Sequence, residues 1–520
     1  MRSDPPFFLD HLTNATLEAA AQTAGQLSLY CGAGVTIDRT GHSWSSLVLA
    51  GFPKRRGRVS DAPTQRQITK LQAQSPEQLA SSLVYVLRES AGSKKALQDA
   101  LRKRLRTALY GNPSRWQRGE LANWLVILSV MRAQQSRATL ILTTNYDDYI
   151  EEAYSNVREA LEGTASAIPG LRVRRAGVAK PLVELQPRGL TASAPGAYID
   201  LVYLHGRLPR TGPVSWPLVL DENSYAITAP AVEEAISVAL DESALSILLG
   251  TSLRDTPLIR ALSATRSAAG ERVAVLTRGQ FANADPELEK LTLLLARHRS
   301  SELRYAPLFP DFNSQPAQFM TELTLKTAVG QSATSYTERM NGWWNSWVST
   351  RGPDPDIPSR LREAVTSVLP LLGCDADPSP LAEDAERFQL EMWVRADPAG
   401  PARSLTRWAR SLDALTAGVK GKTASLERDS YLAPIRCFTE GRAGRFDIGE
   451  LERGRESDAR YTWRSFLCVP IRVRFCTVGV LTLASTLPLA ATSMSSSEEA
   501  VAQVVQILKA EGTRLFTADS

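Results

Sequence analysis

The run Ala138-Thr139-Leu140-Ile141-Leu142 passes into the turn Thr143-Thr144-Asn145-Tyr146-Asp147, then into the helical pattern Asp148-Tyr149-Ile150-Glu151-Glu152-Ala153-Tyr154. An apolar β-rich run, a short polar turn and an amphipathic helix spell a strand-to-helix crossing. In an open α/β sheet, ligands bind outside the carboxyl ends of the strands. Asn145 and Asp147 fall at such a mouth. Both residue types also cap helices, so this crossing alone leaves capping and ligand contact equally open.

Further crossings of the same kind tip that balance. Gln26-Leu27-Ser28-Leu29-Tyr30-Cys31 reads as a strand running into Gly32-Ala33-Gly34-Val35-Thr36. Glycine lets a backbone turn sharply and approach a bound group, and N–H groups at a helix start favour phosphate. The third glycine of the usual dinucleotide fingerprint is missing, because Ile37 and Asp38 follow. Ala197 to Gly206 reads as a strand ending in His205-Gly206. Histidine is scarce, with His11, His42, His205 and His298 the full set, and a strand-end histidine beside other polar turns is a candidate for catalysis. Pro217-Leu218-Val219-Leu220 is expected as another strand. Ala244 to Leu249 is expected as a buried strand ending in Gly250-Thr251-Ser252, before a helix opened near Asp255 and Thr256. Arg272 to Leu276 is a further strand. Strands alternating with helices predict a doubly wound parallel sheet, with the turns at Gly32, Thr143, His205 and Gly250 along one edge.

Between the first two crossings lies a helical block, Thr64 to Leu109, broken near Ser75-Pro76 and Gly92, followed by a helix from Gly119 to Gln135. Residues 12–24 read as a helix, Asp38 to Leu47 as a loop leading into another, and Leu161 to Leu190 as short strands and loops. The chain has 520 residues, 60 Lys plus Arg and 55 Asp plus Glu, a net charge of +5. That is too small and too dispersed an excess to argue for nucleic acid. Its densest runs, Lys54-Arg55-Arg56-Gly57-Arg58 and Arg102-Lys103-Arg104-Leu105-Arg106, read as a loop and as the wet face of a helix. The five cysteines, Cys31, Cys374, Cys437, Cys468 and Cys476, contain no Cys-x-x-Cys pair. They offer neither a zinc knuckle nor a disulfide framework. No apolar run reaches a membrane span, and the start has no signal-peptide core. A cytoplasmic protein without metal is expected.

The set Gly32-Ala33-Gly34, Thr144-Asn145-Tyr146-Asp147, Leu204-His205-Gly206 and Gly250-Thr251-Ser252 resembles the sirtuin family in order and spacing, over about residues 20–310. Trp44, after the glycine turn, and Asn223-Ser224-Tyr225 look more like the sirtuin-like effectors of bacterial anti-phage systems than like protein deacylases. The four-cysteine zinc ribbon of deacylases is missing here. Thr36 stands where the family has serine, and Thr144 where it has glutamine. The resemblance implies a Rossmann-like domain over residues 1–310 with a helical insertion and NAD as substrate. It implies Asn145, His205 and Asp147 as catalytic residues. It also implies Gly32, Ala33, Gly34, Thr36, Trp44, Thr144, Gly250, Thr251 and Ser252 as the NAD-binding set. The implied activity is NAD+ glycohydrolase, in a regulated, NAD-depleting effector. The alternatives are a non-catalytic NAD or ADP-ribose sensor and an ADP-ribosyltransferase.

Residues 311–380 are expected as a helical connector. It includes a tryptophan-rich helix (Trp343, Trp344, Trp347) packing between domains and a rigid linker, Gly352 to Pro358. From residue 381 the pattern changes to a strand at Arg387 to Val394, a hairpin from Trp463 to Leu483 and a closing helix from Glu498. This α+β order resembles a GAF-type sensor domain, which implies an activating ligand, a partner protein or self-assembly at residues 381–520. A packing module with no ligand is the other reading.

Overall fold

The computed structural model describes residues 19–52, 76–111, 120–164, 166–264, 270–276, 286–310, 315–329, 345–347, 356–375, 385–395, 404–411, 422–426, 430, 432–448, 462–473, 476–495 and 497–517. The expected helix before residue 19, the basic run 54–58, Trp343, Trp344 and the linker up to residue 355 lie outside the described residues.

Strand β1 (Leu27–Cys31) is buried along its whole length, as a strand covered on both faces must be. On one side it pairs in parallel with β2 (Thr139–Thr143), and β2 pairs with β5 (Tyr198–Tyr203). On the other side it pairs with β6 (Leu245–Leu249), which is followed outward by β7 (Glu271–Val275) and β8 (Ala306–Leu308). Strands β3 (Gly170–Arg175) and β4 (Val183–Leu185) extend the β5 side, and β4 alone is antiparallel. The order is β4-β3-β5-β2-β1-β6-β7-β8. Chain direction across the sheet reverses between β1 and β6, and that reversal opens the ligand crevice of a doubly wound sheet. Cys31 is level with both Thr143 and Leu249, and Thr143 is level with Tyr203. The turns after β1, β2, β5 and β6 therefore emerge side by side.

Helices cover both faces. Helices α5 (Glu120–Gln134), α6 (Tyr149–Leu161) and α10 (Gln315–Val329) enclose one core with Leu29, Ile141, Leu201 and Ile247. On the other face α7 (Glu222–Glu242) and α8 (Thr256–Ala264) pack over Tyr30, Leu142 and Leu248, and α9 (Pro286–Glu302) leads into β8. After β1 the chain forms a 3-10 turn (Ala33–Val35) and a single helical turn α1 (Ile37–Thr40), closed by left-handed Gly41. Part of the segment expected as a loop is therefore helical. Helix α2 (Trp44–Gly51) is capped by Ser43, whose side chain accepts from the Ser46 N–H. It joins α3 (Pro76–Ser90) and α4 (Lys94–Tyr110) in a separate cluster that includes Tyr146, Leu208, Leu218 and Leu220. The helical insertion thus sits over the carboxyl edge of the sheet. In α4, Leu101 and Leu105 are buried while Arg102 and Lys103 are exposed, as the wet-face reading requires.

Residues 217–220 do not form the expected strand. Val219 donates to the His205 carbonyl (2.9 Å) and its own carbonyl accepts from the Tyr146 hydroxyl. With Pro217 lacking an N–H, this stretch is spent bridging two turns and cannot extend a ladder.

The second core is built on an antiparallel sheet, in keeping with the α+β expectation for the C-terminal region. Its centre is β9 (Phe388–Arg395), β14 (Cys476–Ser485) and β13 (Ser465–Val473). These are flanked by β10 (Ser404–Arg410), β11 (Thr423–Ser425) and β12 (Gly444–Asp447), in the order β11-β10-β9-β14-β13-β12. Helices α11 (Ile357–Val368) and α13 (Glu498–Phe516) cover one face, and α12 (Ala433–Glu440) the other. The expected connector divides between the two cores. Phe319, Met320 and Leu323 join the first, whereas Trp347 and α11 join the second. Trp347 is fully buried, lies edge-on to Trp408 (4.9 Å between centroids) and donates to the Leu515 carbonyl (2.8 Å). It packs inside the C-terminal core, where the sequence reading placed it between domains.

Candidate active site

Thr36 occupies the position that would cap α1, yet its hydroxyl makes no cap bond. It turns inward instead and donates to Asp147 Oδ2 (2.9 Å) while accepting from Asn145 Nδ2 (3.0 Å). Three residues from two turns are joined in one chain of hydrogen bonds. The turn that presents them is tied down by its own backbone. Thr144 N donates to the Cys31 carbonyl (3.0 Å) and Asn145 N to Thr143 Oγ1 (3.1 Å).

This settles the capping question residue by residue. Asp147 Oδ1 accepts from the Tyr149 N–H (3.3 Å), an Asx turn at the helix entrance, while its other oxygen faces Thr36. Asn145 caps nothing: both of its bonds run to threonine hydroxyls. Burial pushes the Asp147 carboxyl up to about 7 from its usual 3.8, against the pull of the Thr36 and Tyr149 bonds.

His205 is fixed from both sides. Tyr203, two residues before it, donates its hydroxyl to Glu151 on α6 (2.8 Å) and to the Asp147 carbonyl (2.9 Å). Arg207, two residues after it, holds the same Glu151 with two bonds (2.7 and 2.8 Å). Both members of that ion pair are mostly buried, so the two-pronged geometry is what makes it stable there. Gly206 has φ +90°, and a Cβ there would lie 2.5 Å from the Pro217 carbonyl oxygen; only glycine fits. The His205 side chain is 9 % exposed. Burial lowers its proton affinity below that of a free imidazole, and the Asp255 carboxylate partly restores it.

The glycine turns meet one another. The Gly32 N–H donates to the Leu249 carbonyl and the Gly34 N–H to the Gly250 carbonyl, each at 2.9 Å. A Cβ on Gly32 would sit 2.5 Å from the Gly250 oxygen. These residues close the β1–β6 reversal backbone to backbone, so two of the three N–H groups of the Gly-Ala-Gly turn are already engaged. Thr251 is buried, with its hydroxyl accepting from the Leu253 N–H (3.1 Å), and Ser252 is exposed beside it. Trp44 faces the insertion side, its indole N–H donating to the Tyr146 hydroxyl (3.3 Å).

Sequence reasoning did not assign Asp255, Tyr225, Tyr30, Tyr203, Glu151 or Arg207 to the site. Asp255 stands at the start of α8 and receives the hydroxyls of Tyr30 (2.6 Å) and Tyr225. Its Oδ1 is 3.8 Å from His205 Nε2. The available sequence signal was the placement of Asp255 directly after the Gly250 turn. Among the described residues no group of His, Cys, Asp and Glu is arranged to hold a metal ion, and no helix is long and apolar enough to cross a membrane.

Residues 139–298 match the family model of the SIR2-like domain. The match runs from β2 into the helix that precedes β8, leaving out β1 with its glycine turn and β8, and supports a sirtuin-like, Rossmann-type fold there, with NAD-related chemistry. No curated protein matches the chain. Among solved structures, the GAF domain from Acinetobacter phosphoenolpyruvate-protein phosphotransferase is similar at 12 % identity over 35 % of this chain and 96 % of that one, with a TM-score of 0.22. A score that low carries no argument about the C-terminal sheet.

Proposed function

We propose that the carboxyl edge of the parallel sheet hydrolyses NAD+ at its nicotinamide glycosidic bond, releasing nicotinamide and ADP-ribose. The observation that carries the reading is the Asn145–Thr36–Asp147 chain of hydrogen bonds at the ends of β1 and β2, with the buried His205 at the end of the adjoining β5. The leaving group suits such a site. Nicotinamide departs from a cationic pyridinium as a neutral molecule, so the protein's task is to stabilise an oxocarbenium-like transition state and deliver water.

Each residue then has a role its chemistry allows. Asn145 orients the ribose and the attacking water. Asp147, with a carboxyl near 7, can donate to or accept from the nicotinamide carboxamide. His205 accepts the proton of water as the new C–O bond forms and the C–N bond breaks, its electron pair leaving on the pyridine nitrogen. Ala33, Thr144, Gly250, Thr251 and Ser252 line the turns that would meet the rest of the dinucleotide, and Trp44 braces Tyr146 from the insertion.

Asn145, Asp147 and His205 are 7 %, 4 % and 7 % exposed, so the dinucleotide enters only when the insertion or the turns shift. That fits an effector kept silent until a ligand, a partner or self-assembly acts through residues 381–520, as in anti-phage defence. The test is nicotinamide release by the full chain, together with cellular NAD+ on expression with and without phage infection. Loss of NAD+ that disappears in both Asn145→Ala and His205→Ala supports the hydrolase. Tight NAD+ binding without nicotinamide release in either setting would replace it with a sensor, and label transferred to protein with a transferase.

A further inference from the structure

Asp255 is held more tightly than a helix-start carboxylate needs to be. Tyr30 reaches its Oδ2 from β1 at 2.6 Å, and Tyr225 reaches its Oδ1 from α7. Burial and the carboxylate both push the Tyr30 phenol up, so it remains a proton donor to the carboxylate at any working pH. Opposite the clamped carboxylate lies His205 Nε2, buried and without a hydrogen-bond partner, at 3.8 Å from Oδ1. Its ring stands edge-on to Tyr225, 5.8 Å between centroids. A buried, unsatisfied ring nitrogen is costly and calls for a reason. The gap exceeds a hydrogen bond, yet catalytic bonds commonly lengthen without substrate and tighten around it. Of the titratable groups, Asp255 and Tyr225 lie near the imidazole, Tyr30 bonds the Asp255 carboxylate and Tyr146 is close enough to feel its charge.

We propose that Asp255, clamped by Tyr30 and Tyr225, is the positioning residue for His205, taking the Nε2 hydrogen and leaving Nδ1 as the atom that accepts the proton from water. The carboxylate does not touch the reacting atoms. It fixes the tautomer and steadies the imidazolium that forms. Its part in turnover rests on the hydrolase reading; the pairing with His205 does not.

The experiment labels the histidines of the full chain with 13C and follows the His205 resonance against pH. There are four histidines, and His205→Gln assigns the peak. In Asp255→Asn the His205 pKa drops by about one unit, because an opposing charge has been removed. In Tyr30→Phe it moves the other way, because the carboxylate loses a donor that was drawing off its charge. The opposite signs separate electrostatic pairing from general loosening. In turnover, Asp255→Asn lowers kcat by about tenfold or more with KM within about twofold. A folded Asp255→Asn with an unmoved His205 pKa overturns the proposal. Should that variant fail to fold, an unmoved value in Tyr30→Phe overturns it equally. Both shifts without any nicotinamide release by the unsubstituted chain would sink the hydrolase reading while upholding the pairing.

Discussion

The two sheets bury their strands for different ends. In the C-terminal sheet, Leu390, Met392, Val394, Leu467, Val469, Leu481 and Leu483 fill the central strands and meet Trp347, Val365, Leu508 and Phe516. In the parallel sheet the strands are equally apolar, but the edge where they end carries Thr36, Asn145, Asp147 and His205, all buried. Polar groups taken out of water cost free energy unless they are bonded, and an unpaired one costs most. The C-terminal sheet buries polar groups as well, Gln389, Arg395, Thr482 and Ser485, on the strands themselves rather than on the turns that follow them. On the proposed function, the buried polar turns are where stability is given up for chemistry.

That contrast can be broken by substitution. Asn145→Ala or His205→Ala is expected to cut nicotinamide release by about 10²–10⁴-fold with little change in the thermal transition; retained turnover would erase the distinction. Trp347→Ala is expected to do the reverse. Truncating so large a buried side chain costs about 3–5 kcal/mol, read in denaturant melts of the C-terminal core, while turnover per folded molecule persists. A pH series sharpens the picture further. Between 3.8 and about 7 the native chain holds a proton on Asp147 that the unfolded chain has released. Its contribution to stability is therefore greatest below the unfolded value and is lost as pH rises toward 7. Asp147→Asn should remove this slope and gain a few kcal/mol relative to the unsubstituted chain at pH 8, with turnover reduced. The smallest effect is expected from Thr36→Val, which leaves Asn145 Nδ2 and Asp147 Oδ2 without their shared hydroxyl. It should cost about 1–3 kcal/mol and lower turnover more than stability; Thr36→Ser should restore both.

Much of this was legible before any coordinates. Strand-to-helix crossings announced β1, β2, β5 and β6, and Asn145, Asp147 and His205 stood out as polar groups at strand ends, while Thr36 entered through the family resemblance. Their hydrogen bonding was not legible, because Thr36 and Asn145 become neighbours only through the β1–β2 pairing. Asp255 was hidden for the same reason. It lies far along the chain from His205 and is brought near only because β6 docks on the other side of β1. Leu218, Val219 and Leu220 looked like a strand because their burial is real, but it serves the helical insertion. Trp347 looked like mortar between domains because a helical face of aromatic residues does not say which core it enters.

Glu151 gives α6 an uncommon reach. Through Tyr203 and Arg207 it grips both flanks of the histidine turn, while Asp147 and Tyr149 at the start of the same helix hold the other turn in place. A single rod therefore carries the two halves of the centre together. Sliding it by a fraction of a helical pitch would displace Asp147, Asn145 and His205 in one stroke.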